Sequence, residues 1–239
     1  MSRATVPHVA DRESLDDIAK AVISCERCPR LRRYCEAVAK EKKRAHRDET
    51  YWGRPVPGFG DPNAGLLIVG LAPAAHGANR TGRMFTGDSS GDFLTRALFD
   101  AGFASIPTSQ HAGDGLDLTG AYIGATARCA PPDNKPTPAE VASCLPYLAA
   151  EARALPRLRV VVALGRIAFD ACLTMFGGMR GERFSPKPTF AHGAVCPLGS
   201  GQPVLVASYH PSRQNTNTGR LTPEMFAAVF VEARRQLGP

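Results

Sequence analysis

Four of the seven cysteines, a glycine-rich loop carrying two arginines and an aspartate, and a His-Pro-Ser turn have residue types and spacings that suit chemistry. Cys25 and Cys28 form a C-x-x-C pair that can present both sulfurs to one metal ion, although such a pair also serves redox chemistry. Cys129 follows a short apolar run and Cys144 falls in the helix pattern after it, so packing of strand on helix can bring both to the first pair. Four converging thiolates bind either zinc or an iron–sulfur cluster, and spacing alone leaves the two open. The odd count of seven, together with the absence of an apolar leader in MSRATVPHVADRES, argues against a disulfide framework. Cys172, beside Phe169 and Met175, reads as core packing, and Cys196 and His192 as structural or incidental.

Strands and helices must position these groups. Leu66 to Val69 is an apolar run without polar alternation, which suits a strand buried on both faces of a parallel sheet; Gly70 and Pro73 end it. Similar runs at Ala121 to Thr126, Val160 to Leu164 and Val204 to Ala207 predict three more parallel strands. Helices are expected over Ser14 to Ser24, Leu31 to Arg47, Ser90 to Ala101, from a capping box at Thr137 to Ala154, up to Phe176, and from Pro223 to Gln236. Strand–helix alternation predicts a parallel sheet flanked on both sides. Loops at the carboxyl ends of its strands form the crevice, which places His76, Asn79, Arg80, Arg83, Phe85 and Asp88 there. The helix after Asp88 aims its free N–H groups at the same place, where they favour an anion. Gly177 to Gly201 reads as a long Pro/Gly-rich excursion, and Arg213 to Arg220 as an exposed polar loop.

The chain has 239 residues, 44% hydrophobic and 21% charged, which fits one core and one domain spanning residues 1–239. No apolar run approaches the roughly 20 residues that span a bilayer, and a cytoplasmic protein is expected. Lys plus Arg number 29 against 22 acidic residues, and the charge of +7 fits a polyanionic partner. The basic residues from Lys40 to Arg47 suit either a solvated helix face or contact with a phosphate backbone.

GLAPAAHGANRTGRMFTGD (Gly70 to Asp88) and HPSRQNTNTGR (His210 to Arg220) resemble the two signature motifs of the family 5 uracil-DNA glycosylases, within the uracil-DNA glycosylase superfamily. RCAPPDNKP (Arg128 to Pro136) and the order C-x-x-C, Cys129, Cys144 are similar as well, so the resemblance runs from about Cys25 to Phe226. It implies a three-layer α/β/α sandwich around a central parallel sheet of about four strands, preceded by an N-terminal helical segment. It also implies a [4Fe–4S] cluster held by Cys25, Cys28, Cys129 and Cys144, and excision of uracil and other deaminated or modified bases, hypoxanthine among them, from DNA.

That chemistry needs a nucleotide flipped into a pocket, an aromatic platform for the base, a donor at the base oxygen, and an anion or activated water at the cationic sugar. The resemblance implies Phe85 as platform, with Gly70, Ala72, Ala75, His76 and Ser212 around the base, and His210 as the donor. Many relatives outside family 5 carry an Asp or Asn just after the first strand to position water; here Ala74-Ala75 stands there, and the resemblance moves the role to Asp88, with Asn134 as a base-contacting or water-positioning partner. Asp88 equally suits a helix cap, and Asn134 a turn residue. Arg80, Arg83, Arg213, Gln214, Asn215, Asn217 and Arg220 are the expected DNA contacts of a monomeric protein. The missing motif Asp or Asn leaves a non-catalytic iron–sulfur DNA-binding module as the alternative. A small-nucleotide-binding protein fits less well, since neither G-x-G-x-x-G nor G-x-x-x-x-G-K occurs in the loop.

Overall fold

A computed structural model of the protein describes residues 13–238, and the expectation of no leader rests mainly on residues 1–12, outside that range. The chain begins with α1 (Leu15–Ile23), α2 (Pro29–Glu41), β1 (Phe59–Gly60) and β2 (Leu66–Gly70). It continues through α3 (Ala78–Thr81), α4 (Ser89–Asp100), β3 (Ala121–Ala125), α5 (Pro138–Ala154), β4 (Val160–Leu164) and α6 (Arg166–Arg180). It ends in β5 (Val195–Pro197), β6 (Val204–Ser208), α7 (Arg213–Asn217) and α8 (Pro223–Leu237).

The strands form one sheet in the order β1-β3-β2-β4-β6-β5. The four expected strands are its centre and pair in parallel, with Ile68 opposite both Ile123 and Val162, and Val162 opposite Val206. Two short strands cap the edges antiparallel, β1 on β3 and β5 on β6, and extend the expected parallel centre of four to a sheet of six. Alternate side chains of the central strands serve opposite faces. Leu66, Ile68, Val160, Val162 and Val206 pack with Leu94, Leu98, Phe226 and Phe230 from α4 and α8. Leu67, Val69, Val161, Ala163 and Leu205 pack with Leu148, Phe169 and Cys172 from α5 and α6. Each such side chain contributes about 1.5–3 kcal/mol relative to leaving it in water, which explains the uninterrupted apolar runs of a three-layer sandwich.

Two helix starts are where the sequence signals say, while α2 stops at Glu41, short of the expected Arg47, with Lys42 at a positive φ of 55° closing it. Thr137 and Glu140 form a reciprocal capping box at α5, and Thr222 accepts from the Met225 N–H at α8. α6 passes the expected end at Phe176 and stops at Gly181, whose left-handed φ of 71° closes the last turn on Gly177 and Gly178. α1 packs Ile18 and Val22 on Ala150 of α5, and α2 packs Leu31 and Cys35 against Cys129 and Ala130 after β3. α4 leaves β2 on one face and α6 leaves β4 on the other, so the crevice opens at the carboxyl ends of this neighbouring pair. Among the described residues no helix is long and apolar enough to cross a membrane.

Candidate active site

The loops after β2, β3 and β6 enclose a cavity of about 580 Å3. Leu71, Ala72 and Ala74 line it together with Met84 and Phe85, Asp133 and Asn134, and His210 with Ser212, Arg213 and Gln214. Asp88, Ser89 and Ser90 bring the N-terminus of α4 to its edge.

Phe85, Asp133 and Asn134 all hold positive φ (50°, 54° and 56°) without being glycine. Such a backbone costs about 1–3 kcal/mol for each residue, is least natural for Phe, and clusters at working sites. Phe85 is kept in place by close packing. A β-carbon on Gly70 would come within 2.6 Å of its ring, and one on Gly91 within 2.2 Å of its carbonyl oxygen. The Phe85 ring lies 6.1 Å from the His210 ring at 32°, so the two aromatic groups share the cavity.

Asp88 has two differently occupied oxygens. Oδ1 accepts the Ser90 and Gly91 N–H groups, each at 2.9 Å, and so caps α4. Oδ2 sits where a β-carbon on Gly77 would be, at 2.0 Å, so only glycine at 77 leaves it room. Burial raises the Asp88 pKa against the two capping N–H groups that lower it. Burial also pulls the His210 imidazole down to about 4, which makes it neutral at physiological pH with one N–H to donate. Asn215 Nδ2 donates to the His210 carbonyl at 2.8 Å, and Gly165, at φ 95°, lets the His210 β-carbon approach.

Two of the expected DNA contacts are corrected by their partners. Arg80 is buried, pairs with Glu49, and donates to the carbonyls of His76 (2.9 Å) and Gly87 (3.0 Å). Arg83 donates to Thr86 and, at 2.8 Å, to both oxygens of Asp114. Their guanidinium groups brace the loop that carries Phe85 and Asp88 rather than facing solvent. Asn79 is likewise turned inward, its amide donating to the Cys35 carbonyl at 3.3 Å. Ala75 packs on the Cys35 and Cys129 cluster and His76 bonds Tyr51 Oη at 3.0 Å, so neither lines the cavity. Ala72, Phe85 and Ser212 do line it, and Gly70 lies beneath Phe85. The expected polar loop contains the one-turn α7, capped by Ser212; Arg213 reaches Ser89 Oγ at 3.0 Å, and Gln214 and Asn217 are exposed. Arg220 stands over the Tyr209 ring at 4.8 Å.

Cys25, Cys28, Cys129 and Cys144 are free thiols contributed by the α1–α2 turn, the β3 exit and α5. They are electrostatic neighbours. Burial raises the Cys28 pKa to about 11, with Cys144 and Cys25 adding to the rise, and Cys144 feels Cys25 as well as its own burial. The Cys129 pKa is raised by a hydrogen bond with the free thiol of Cys35, by burial and by Cys144. Among the described residues no three Cys, His, Asp or Glu side chains are already gathered into a metal-holding group. The donor set itself, four unpaired sulfurs from three elements, is of the soft kind that suits zinc or an iron–sulfur cluster. Beside it the buried Arg128 pairs with Glu151, both 1% exposed, and Tyr122 Oη donates to the same carboxylate at 3.5 Å.

The model of the uracil DNA glycosylase superfamily matches residues 57–234, which include every wall of the cavity. The chain belongs to this superfamily. It is 54% identical over 228 residues to a type-5 uracil-DNA glycosylase of Thermus thermophilus, covering 95% of this chain and 99% of the relative. A type-5 uracil-DNA glycosylase of Mycobacterium bovis is 50% identical over 94% of this chain and 82% of its own length, and one of Pyrobaculum aerophilum 44% over 93% of both. A type-4 uracil-DNA glycosylase of Archaeoglobus fulgidus is 33% identical over 69% of this chain. The chain therefore sits on the type-5 branch of the superfamily.

Gly77 and Asp133 are not singled out by the sequence, and His192 reads there as structural or incidental. Gly77 makes the hole for Asp88 Oδ2, and Asp133 shares the strained turn with Asn134. His192 accepts the Tyr209 N–H at Nδ1 (3.1 Å), donates from Nε2 to the Met225 carbonyl (3.3 Å) and stacks on the Tyr209 ring at 5.0 Å. It clamps the residue before His210, a role compatible with its expected structural reading. The strand-exit position of Gly77 was a usable signal; His192 lies too far from its partners in sequence to give one.

Proposed function

We propose that this protein is a monofunctional DNA-repair glycosylase that flips uracil out of DNA and hydrolyses its N-glycosidic bond, leaving an abasic site. Membership of the superfamily and about half-identity to type-5 uracil-DNA glycosylases over nearly the whole chain carry this reading. It displaces the alternative of a non-catalytic module. The single observation in the fold that favours catalysis is the cavity in which a carboxylate, a neutral imidazole and an aromatic ring meet.

The residues suit the steps of that reaction. The flipped base enters beside Phe85, whose ring stacks on it, while backbone and side-chain groups around Ala72, Asn134 and Ser212 read its edge. As the bond lengthens, negative charge grows on the base, and the neutral His210 donates its N–H to the base oxygen. Positive charge grows on the sugar. Asp88 lines the cavity with the carboxylate whose Oδ1 caps α4 and whose Oδ2 lies against Gly77, and either balances that charge or orients the attacking water; Asn134 is the second candidate for placing the water. Arg213, Gln214, Asn215, Asn217 and Arg220 hold or fill the duplex around the extruded nucleotide. Every group comes from one chain, and we assign the protein as a monomer acting with DNA in the cytoplasm. Other deaminated bases, hypoxanthine first, are further substrates in this reading.

Cys25, Cys28, Cys129 and Cys144 would hold a [4Fe–4S] cluster, which supplies a structural clasp between the N-terminal helices and the sheet. The test of the function is a duplex with a single uracil: incubation with the protein followed by alkali should cut the uracil strand at that position, and an undamaged duplex should stay intact. A strand that remains whole after alkali, with binding retained, would return the non-catalytic alternative.

A further inference from the structure

Among the described residues the largest fully buried side chain is that of Arg128, which follows β3 and directly precedes Cys129. Its Nη2 pairs with Glu151, but Nε and Nη1 meet no acceptor. Cys144, Leu148 and Glu151 recur at helical spacing on one face of α5, so the face that carries the counter-ion of Arg128 also carries one of the four sulfurs. Gly124 makes room for the pair: a β-carbon there would lie 2.9 Å from Glu151 Oε2 and 3.5 Å from Arg128 Nη2. Burial raises the Cys144 pKa, and the main-chain N–H and the charge of Arg128 are the two largest influences that lower it, so this arginine acts on that sulfur. Arg27 and Arg32 also stand near the four cysteines, but with their donors engaged. Arg32 donates to Glu26, Glu36 and the Gly53 carbonyl, and Arg27, over the Tyr147 ring at 4.8 Å, donates to the Ser143 carbonyl.

An unanswered N–H on a buried cation is costly, and in native proteins it is the exception. The acceptor of matching chemistry near Arg128 is the sulfur set, since four thiolates around an iron–sulfur core keep a net negative charge that grows on reduction. We propose that Arg128 donates its free N–H groups at Nε and Nη1 to the sulfur atoms of the [4Fe–4S] site and thereby favours the more negative oxidation state of the cluster. The inference rests on the cluster reading above and makes Arg128 a positioning residue of that site. Glu151 fixes the guanidinium through Nη2, and Tyr122 Oη fixes Glu151 in turn at 3.5 Å. Donors to sulfur and exclusion of water are the levers by which a protein sets a cluster's reduction potential, and one buried arginine supplies both.

The experiment uses the full-length holoprotein purified without oxygen, as wild type, Glu151→Gln, Arg128→Lys and the double variant Arg128→Met with Glu151→Gln. The double variant removes both buried charges and so leaves neither unpaired. Iron and sulfide content and thermal melts show that each protein is loaded and folded. The ratio of reduced to oxidised cluster is then read from visible absorbance at fixed mediator potentials, in the reducing and the oxidising direction. In the double variant this ratio should fall about tenfold, the size of one charge-assisted hydrogen bond and a shift of about 59 mV for a one-electron couple. In Glu151→Gln alone it should rise, because a negative charge leaves while the guanidinium stays. Arg128→Lys keeps the charge but loses the fork, since one ammonium cannot serve Glu151 and the sulfurs together, and its ratio should fall between wild type and the double variant. A purely structural ion pair would leave the double variant at the wild-type ratio, and that result would overturn the proposal. If the double variant does not load, a wild-type ratio in Arg128→Lys overturns it equally. A colourless wild type holding zinc would instead defeat the cluster reading itself.

Discussion

Asp88→Asn separates two roles that one carboxylate carries. Oδ1 accepts two N–H groups at 2.9 Å and closes the first turn of α4, and asparagine keeps an oxygen in that place. As caps, Asp and Asn are nearly equivalent, while loss of the charge removes about 0.3–1 kcal/mol of attraction to the helix dipole. Against that loss, burial raises the Asp88 pKa, so keeping the group ionised in the folded protein already costs stability. A carboxyl whose folded pKa is raised contributes stability that is full below its unfolded value, about 3.9, and lost as pH rises through its folded value. At neutral pH the two terms oppose each other, and Asp88→Asn should lie within about 1 kcal/mol of wild type, whereas Asp88→Ala should lose about 1 kcal/mol with the cap. Single-turnover excision should behave differently, falling about 10²- to 10⁴-fold in Asp88→Asn, the range for a positioned acid–base group. The wild-type rate should have an acid limb above the ordinary aspartate range, and Asp88→Asn should lack it. Wild-type excision by Asp88→Asn, with an unchanged melt, would refute the reasoning and leave Asp88 as a cap alone; a matching large loss in Asn134→Ala would then move the water to Asn134.

Three further outcomes are expected. His210→Ala should slow single-turnover excision about 10²- to 10³-fold, and because burial holds the imidazole at about 4, the wild-type rate should show no step near 6.5 that disappears in the variant. Glu151→Gln removes the charge that answers Arg128 at a site 1% exposed, and should lower unfolding stability by about 3–5 kcal/mol in denaturant titrations; a loss under about 1 kcal/mol would mean that Arg128 finds another partner. Protein purified without oxygen should be brown, with about four iron and four sulfide per chain, and Cys25→Ala or Cys144→Ala should reduce soluble yield; a colourless protein with one zinc would replace the cluster by a zinc site.

The fold was legible wherever a segment's fate depended on itself. Val160 to Leu164 and Leu66 to Val69 are apolar at every position because both of their faces are covered, and Thr137 with Glu140 closes its own helix end. β1 and β5 escaped because two or three residues pairing at a sheet edge need only a neighbour's free main chain, which leaves no pattern in Phe59–Gly60 or Val195–Pro197. The site divides in the same way. His210, Phe85 and Asp88 could be found from their own loops, and the helix cap at Asp88 is a local rule. The arginines could not, since Arg80 is answered by Glu49 and Arg83 by Asp114, each 31 residues away, and a loop arginine with a distant acid looks the same in sequence as one awaiting a phosphate. What those buried pairs hold is the strained part of the cavity. Phe85 keeps a positive φ between Gly70 and Gly91 while Arg83 grips Thr86 beside it and Arg80 grips Gly87, so the charges that were read as reaching outward instead fix the ring against which a flipped base would stack. Of the loop arginines expected at DNA, the two without an acidic partner among the described residues are Arg213, which donates to Ser89 Oγ, and Arg220, which stands over the Tyr209 ring.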